Sequence, residues 1–436
     1  MISKLNNRGF VFRAAFVSCV IVFSLLAVSN IRLNFIDPNP SSQRRQTSYL
    51  RKLETQLHEL EDKLVKVKEG DSDPQNELDE LTGKIVRATT TNSNKFSYEH
   101  DCKPKTKVAF AKTHKTGSST LQNIIFRYGV GHDLTFAIPP KSWMFSFKET
   151  FKSEMVLHGP WAPLKNFDLF AFHSVWNHPE IKKVIPKAFT VTLLREPLEC
   201  FESNYVYMGL EKAFKMDVNS WAQKRAKKMA PRRSKAIIGK NQMLWDLGLS
   251  TKDMENRTKV EEKIRELDDT MDLVMIVERF DESLVLLQDE LCWETRDMAY
   301  LKQNERIAAK KTNMTAETRA IMREWLWADY LLYDHFKAKL ERKIAVAGKM
   351  EMERRLAELR AEKQRIWKDC VFGKAASDKL RGEFKMALPI VSGYMVDEAK
   401  PWCALFARSE PNFAHQIIQH QTMKVEELKL KGKTSR

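Results

Sequence analysis

The residues best suited to chemistry form a lysine- and hydroxyl-rich segment at positions 112–120, here called the anion loop. Its sequence, KTHKTGSST, follows the apolar run 108–111 and precedes LQNIIF at 121–126. This order predicts a strand, a tight loop and a helix. Gly, Ser and Thr at a helix N-terminus bind phosphate through free backbone N–H groups and the positive end of the helix dipole. Lys112 and Lys115 add positive charge, so we expect an anion site here.

The anion loop differs from the phosphate loop of ATPases and kinases. That motif, GxxxxGK[ST], places Lys directly after its second Gly. Here Lys115 precedes Gly117 by two residues, and the first Gly is absent. The pattern disfavours a nucleotide kinase. It leaves open an anion site of another kind or an ordinary strand-to-helix turn.

A second candidate site follows the β-branched, apolar run 189–194, which predicts a buried strand. Arg195 ends this strand, Pro197 can begin a helix, and Ser203 comes eight residues after Arg195. A guanidinium and a hydroxyl placed in this way can hold one phosphate dianion. The alternative is a surface Arg with an unrelated helical Ser. The anion loop and the Arg195–Ser203 pair occur together and in this order, which favours the phosphate site.

Four segments carry a resemblance to a known family. They are KTHKTGSSTLQNIIFRYG (112–129), LLREPLECFESNYVY (193–207), LCWETRD (291–297) and LYDHF (332–336). Over roughly residues 105–340 the chain resembles the galactose-3-O-sulfotransferase family of Golgi membrane enzymes. The resemblance implies a P-loop-like α/β domain that uses PAPS (3′-phosphoadenosine 5′-phosphosulfate) as sulfate donor. The implied acceptor is the 3-hydroxyl of a β-galactose on a glycolipid or glycoprotein.

The resemblance also implies roles for individual residues. Lys115 would be the catalytic cation beside the transferred sulfate, and no metal is expected. The donor would be held by residues of the anion loop and by the second site: Lys112, Thr116, Gly117, Ser118, Ser119, Thr120, Arg195 and Ser203. His173 follows the predicted strand 168–172 and is the expected general base, since imidazole titrates near neutral pH. His158 is the next candidate for the base and Glu202 a weaker one, whereas His114, inside the anion loop, is expected to point away from the site or only to shape the loop.

Two other functions remain open at this point. One is sulfation of another glycan, such as a glycosaminoglycan, which the basic stretch 222–240 would suit. That stretch contains eight Lys and Arg residues and no acid, although a solvated surface would look the same. The other is a membrane-tethered coiled-coil or glycan-binding protein without catalysis, which the presence of Lys115, Arg195 and Ser203 together disfavours.

The spacing of apolar runs predicts the fold class. Runs suited to strands occur at 107–111, 154–157, 168–172, 189–194 and 272–277, with helical patterns between and after them. Alternating strands and helices favour an α/β domain whose mainly parallel sheet binds ligands at the strand carboxyl ends. We place this domain at 102–423, followed by a polar tail at 424–436.

The N-terminal third predicts membrane attachment. Residues 10–29 form an apolar span long enough to cross a bilayer, and the positive charges before it favour a cytoplasmic tail at 1–9. Leucines at alternating steps of three and four predict a short coiled coil at 48–68 within a stem at 30–101, which could pair two chains. A cleaved signal peptide and a lone amphipathic helix are the respective alternatives. The expected topology is single-pass type II in the Golgi membrane, with a luminal catalytic domain.

Charge and cysteines agree with a secretory protein that binds anions. The 436 residues carry a formal charge of +16, which favours anionic partners. No zinc-finger, RNA-recognition or basic-zipper signature occurs, so nucleic acid is not an expected partner. The six cysteines show no metal-binding spacing. Cys19 lies in the apolar span, and the other five allow one or two disulfides. Cys370–Cys403 is the first pair expected, although the sequence leaves the pairing open.

Overall fold

Four short apolar strands form a parallel sheet in the order β2–β1–β3–β4. The structure is a computed structural model that describes residues 102–139, 144–146, 149–226, 239–307, 312–386 and 388–434. Every residue of these strands is buried, as is typical of a parallel sheet covered on both faces. The strands are β1 (Val108–Ala111), β2 (Leu169–Phe170), β3 (Phe189–Leu194) and β4 (Leu273–Ile276).

Helices cover this sheet and continue beyond it. In the first half they are α1 (Ser118–Gly131), α2 (Glu154–Leu157), α3 (His178–Val184), α4 (Pro197–Tyr207), α5 (Leu210–Phe214), α6 (Val218–Arg225) and α7 (Gln242–Asp246). In the second half they are α8 (Arg257–Thr270), α9 (Phe280–Leu291), α10 (Thr295–Met298), α11 (Ala316–Trp325), α12 (Trp327–Ala347), α13 (Lys349–Cys370), α14 (Pro401–Ala407) and α15 (Glu410–Thr434).

The pairing of β1 with β3 positions the site. These strands are parallel neighbours, with Ala111 opposite Thr192. The segments that follow them therefore leave the sheet at the same edge, where ligands bind in open α/β sheets. The anion loop follows β1, and Arg195 follows β3.

The predicted α/β class is confirmed, as are four of the five predicted strands. The segment 154–157 is wrong as a strand, because it forms the single helical turn α2. Only Val156 of this turn is buried, so its apolar residues do not supply a face for a sheet. A segment of four residues, three of them apolar, is too short to distinguish the period of a strand from that of a helix.

A second sheet packs in the C-terminal part of the chain. It is antiparallel, in the order β5 (Glu305–Arg306), β7 (Val391–Val396), β6 (Val371–Ala376). The disulfide Cys370–Cys403 joins the end of α13 to α14, which confirms the predicted pair. A second disulfide joins Cys102 to Cys292, and Cys200 is a buried free thiol.

The predicted membrane span and coiled coil lie outside the described residues. Among the helices of the described segments, none combines the length and the apolar character needed to cross a bilayer. Residues 227–238 of the basic stretch also lie outside the description. At the other end of the chain, α15 continues to Thr434, so most of the predicted polar tail is helical.

Candidate active site

The anion loop turns sharply between β1 and α1. Gly117 is the N-cap of α1 and has a φ of 76°, in the left-handed region where side chains are disfavoured. A Cβ at this position would lie 2.9 Å from Cγ2 of Val277. The Gly117 turn thus needs glycine for its conformation and for its close approach to Val277. It presents the first-turn N–H groups of the 14-residue helix α1, a favourable place for an anion.

Hydroxyl groups hold the anion loop in shape. The Thr113 hydroxyl donates to the carbonyl of Leu193 (2.5 Å) and lies 2.7 Å from the Thr116 hydroxyl. Ser118 donates its hydroxyl to the carbonyl of Thr113 (2.6 Å). The Thr120 hydroxyl accepts a hydrogen bond from the backbone of Gln303 (3.0 Å). The hydroxyl protons of Thr116 and Ser118 are therefore used within the loop, so these residues contribute to an anion through backbone N–H groups. Thr120 differs, because its backbone N–H donates to the Gly117 carbonyl at 3.0 Å while its hydroxyl proton is not used by the bond from Gln303.

Arg195 joins the two predicted halves of the site. Its Nη1 donates to the carbonyl oxygen of Lys115 at 3.1 Å. Helix α4 contacts the same loop through Cys200, whose thiol donates to the His114 carbonyl at 3.2 Å, and through Tyr207. Ser203 lies three residues after Cys200 and four before Tyr207, so the three share one face of α4. The structure thus brings Arg195 and the Ser203 face of α4 against the anion loop.

Lys115 lies in a concentration of positive charge. Its Nζ sits 3.5 Å from the centroid of the Tyr207 ring, in a cation–π contact. Burial is the largest cause that lowers the pKa of Lys115, and the nearby charges of Arg195, Lys112 and Arg306 act in the same direction, so that together they bring this pKa to about 7. Such a shift is typical of a lysine that is buried beside other cations.

Arg306, on β5, was not singled out by the sequence. Its Nη2 pairs with Oε2 of buried Glu202 at 2.6 Å, and the second Glu202 oxygen accepts from the backbone of Thr312 at 3.0 Å. Glu202 is therefore committed to structure, which disfavours it as the base. Within the described residues, Nη1 of Arg306 is buried without a hydrogen-bond partner.

His173 follows β2 and lies beside Lys112. Nζ of Lys112 is 2.9 Å from Nε2 of His173, 3.2 Å from Oε2 of Glu410 and 3.4 Å from Oγ of Ser119. An ammonium has three N–H groups, and these three contacts use them all. Lys112 is only 2% exposed. It therefore holds the neighbouring side chains in place and does not present a free cation to a ligand.

The environment keeps His173 neutral. Its pKa lies well below the ordinary value, first because of burial and then because of the charges of Lys112, His114 and Lys115. The contact with the Lys112 ammonium makes Nε2 the acceptor, which places the ring proton on Nδ1. His158, another candidate base, is exposed.

His114 places a second imidazole beside His173. Its ring stacks on that of His173 with centroids 4.5 Å apart. Nδ1 of His114 is 2.8 Å from Oδ1 of Asp246, and the His114 backbone N–H donates to Oδ2 at 2.7 Å. A carboxylate at Nδ1 orients the ring and leaves the lone pair on Nε2, as in catalytic dyads. His114 is thus held in place by Asp246, 132 residues further along the chain.

Comparison with known proteins finds one family. The family described as galactose-3-O-sulfotransferase matches residues 73–385. Galactosylceramide sulfotransferase of Bos taurus is 34% identical over 289 residues, covering 64% of this chain and 67% of the relative. The Homo sapiens protein of the same name is 33% identical over 285 residues, with the same coverage of each chain. Galactose-3-O-sulfotransferase 3 of Mus musculus is 33% identical over 274 residues, covering 60% of this chain and 63% of the relative.

Proposed function

The chain belongs to the galactose-3-O-sulfotransferase family, and from this premise we propose that it transfers sulfate from PAPS to the 3-hydroxyl of a β-galactose. Membership of this enzyme family supports sulfotransferase activity on galactose. The acceptor we propose is a galactose-terminated glycolipid or glycoprotein. The relatives named galactosylceramide sulfotransferase favour the glycolipid.

The contact between Arg195 and the carbonyl of Lys115 carries the proposal for the donor. It brings a helix N-terminus and a strand-end guanidinium to one place, as a donor with phosphate groups at both ends requires. The depressed pKa of Lys115 and the unpartnered Nη1 of Arg306 among the described residues fit a polyanionic ligand. We assign the phosphosulfate end to the backbone N–H groups of Gly117 and the first turn of α1. We assign the 3′-phosphate to Arg195 and Ser203.

Sulfuryl transfer needs charge stabilisation and a proton acceptor. The acceptor oxygen forms the new bond to sulfur, while the bond from sulfur to the donor phosphate breaks and its electron pair leaves with 3′,5′-ADP. We propose that the Lys115 ammonium stabilises the charge that develops on the leaving oxygen. The acceptor proton passes to a neutral imidazole.

His173 is the proposed base, because burial and neighbouring cations keep it unprotonated. Its Nε2 must release the Lys112 N–H before it can take a proton. His114 is the alternative base, since Asp246 leaves its lone pair on Nε2. Replacing each histidine by Gln would distinguish them: the base variant loses turnover while binding of 3′,5′-ADP is retained.

We also propose that the enzyme is anchored in the Golgi membrane by residues 10–29, with the domain in the lumen and the stem pairing two chains. The disulfides Cys370–Cys403 and Cys102–Cys292 support an oxidising compartment. Extraction of cell membranes with carbonate, followed by protease protection of the sealed vesicles, tests this topology. A chain released by carbonate or cleaved from outside the vesicles would contradict it.

The direct test is an assay of the full chain with radiolabelled PAPS. The acceptors would be a β-galactoside, its 3-deoxy analogue, galactosylceramide and a glycosaminoglycan, with Lys115→Ala as the inactive control. We expect label on the galactoside and on galactosylceramide, and none on the 3-deoxy analogue or with the variant. Label on the glycosaminoglycan alone would support the other glycan class. No label on any acceptor would contradict the proposed reaction.

A further inference from the structure

The C-terminal helix α15 places a carboxylate in the candidate active site. Glu410 is the first residue of this helix, and its side chain is 10% exposed. Its Oε2 lies 3.2 Å from Nζ of Lys112 and accepts a hydrogen bond from the Ser119 hydroxyl at 3.0 Å. Glu410 lies beyond residues 73–385, where the family match ends, and no sequence pattern singled it out.

The start of α15 is fixed in place independently of Glu410. Arg408 donates from Nε to Oε2 of Glu383 at 2.7 Å, and the Ser409 backbone N–H donates to the Glu383 carbonyl at 3.0 Å. Asn123 of α1 donates its side-chain amide to the carbonyl of Leu405 at 2.9 Å. Glu410 is therefore not needed to dock the helix, which leaves its contact with Lys112 to be explained.

The two carboxylate oxygens of Glu410 differ in their hydrogen bonding. Oε2 binds Lys112 and Ser119, whereas Oε1 is buried without a hydrogen-bond partner among the described residues. A buried carboxylate oxygen without a partner costs free energy, and such exceptions are tolerated mainly where function requires them. The engaged oxygen is the one that faces the anion loop.

We propose that Glu410 is a positioning residue for the transfer reaction, which holds the Lys112 ammonium against Nε2 of His173 and so fixes the ring proton of His173 on Nδ1. This inference rests on the proposed function for its catalytic meaning. Glu410 contacts neither Lys115 nor His173 directly, so its effect on the reaction passes through Lys112.

The charges around Lys112 explain why a carboxylate is needed there. Burial lowers the pKa of Lys112, and Glu410 is the largest opposing influence, followed by Asp246. Other titratable groups near this pair are His114 and Lys115, both of which act on His173, and Tyr207, whose pKa the Glu410 charge helps to raise. Without the Glu410 charge, burial acts on Lys112 with less opposition. A neutral amine is a weaker donor than an ammonium, so Nε2 of His173 would no longer be held as the acceptor.

The test compares Glu410→Gln with a matched control, Glu383→Gln. Gln retains the size of Glu410 but removes its charge, and Glu383 anchors the same segment without touching Lys112. Nitrogen NMR of the full chain labelled at histidine, with the His173 signal assigned through His173→Gln, reports the tautomer. Turnover and the dissociation constant of 3′,5′-ADP are measured on the same preparations.

We expect wild type and Glu383→Gln to carry the His173 proton on Nδ1, and Glu410→Gln to show a substantial Nε2–H population. Turnover of Glu410→Gln should fall more than tenfold while its 3′,5′-ADP binding is no weaker than in wild type. A wild-type Nε2–H tautomer, an unchanged tautomer in Glu410→Gln, or equal losses of turnover in both variants would overturn the proposal. The tautomer of His173 can be measured without a sulfate donor or a sulfate acceptor. A chain that transfers no sulfate would thus refute the proposed function while the role of Glu410 is still decided.

Discussion

Lys115 gives donor binding a pH dependence that follows from its surroundings. In the donor-free protein, burial and neighbouring cations lower its pKa to about 7. Phosphate groups placed beside the ammonium would favour its charged form and raise this pKa again. Above pH 7 the free protein has lost the proton that the complex requires, so binding must take one up.

The magnitude follows from this linkage. Each pH unit above 7 should weaken nucleotide binding tenfold, or about 1.4 kcal/mol. Between pH 6 and pH 9 the dissociation constant of 3′,5′-ADP should therefore rise roughly 100-fold. Near pH 8.5 binding should take up about one proton. Nucleotide affinity is thus lost as the pH rises, whereas a carboxylate that must be charged for binding would cause affinity to be lost as the pH falls.

Isothermal titration calorimetry of 3′,5′-ADP between pH 6 and 9 measures both quantities, provided that each pH is studied in two buffers of different ionisation enthalpy. Lys115→Arg is the control, because Arg remains charged throughout this range and should bind with little dependence on pH above 7. Ionisation of the nucleotide phosphates near pH 6 affects both proteins equally. A flat wild-type profile, or the same slope in Lys115→Arg, would refute the assignment of Lys115 to the donor site.

Three further changes have expected outcomes. Arg195→Ala removes charge-assisted hydrogen bonds, so calorimetry should show 3′,5′-ADP bound roughly 10- to 100-fold more weakly, with the acceptor KM unchanged; unaltered nucleotide binding would contradict its role. Gly117→Ala puts a Cβ 2.9 Å from Val277 at a φ of 76°, and thermal unfolding should show a loss of about 1–2 kcal/mol together with weaker nucleotide binding; wild-type values for both would contradict the strain argument. Replacing Cys370 and Cys403 by Ser opens a loop with a sequence separation of 33, so urea unfolding should show a loss of about 3–4 kcal/mol; a loss under 1 kcal/mol would contradict this.

The parts of the fold that the sequence predicted are those encoded by local patterns. The run at 189–194 combines β-branched and apolar residues, and it forms β3 over those six residues. The anion loop was recognisable because its glycine, hydroxyl and lysine residues are contiguous. Helices are also present after the last predicted strand, as expected, and Gly348, with a φ of 82°, separates α12 from α13.

The parts that the sequence missed depend on contacts between distant residues. Asp246 meets His114 across 132 positions, and Glu410 meets Lys112 across 298. Neither acid belongs to a recognisable motif, so only the folded chain reveals its partner.

The most direct test of the account is a crystal structure of the full chain with 3′,5′-ADP. We predict that the 5′-phosphate accepts hydrogen bonds from the backbone N–H groups at Gly117 and the start of α1, with Nζ of Lys115 beside it. The 3′-phosphate should contact the Arg195 guanidinium and the Ser203 hydroxyl. A nucleotide bound elsewhere, or one that contacts the anion loop while its 3′-phosphate points away from Arg195 and Ser203, would contradict the central claim.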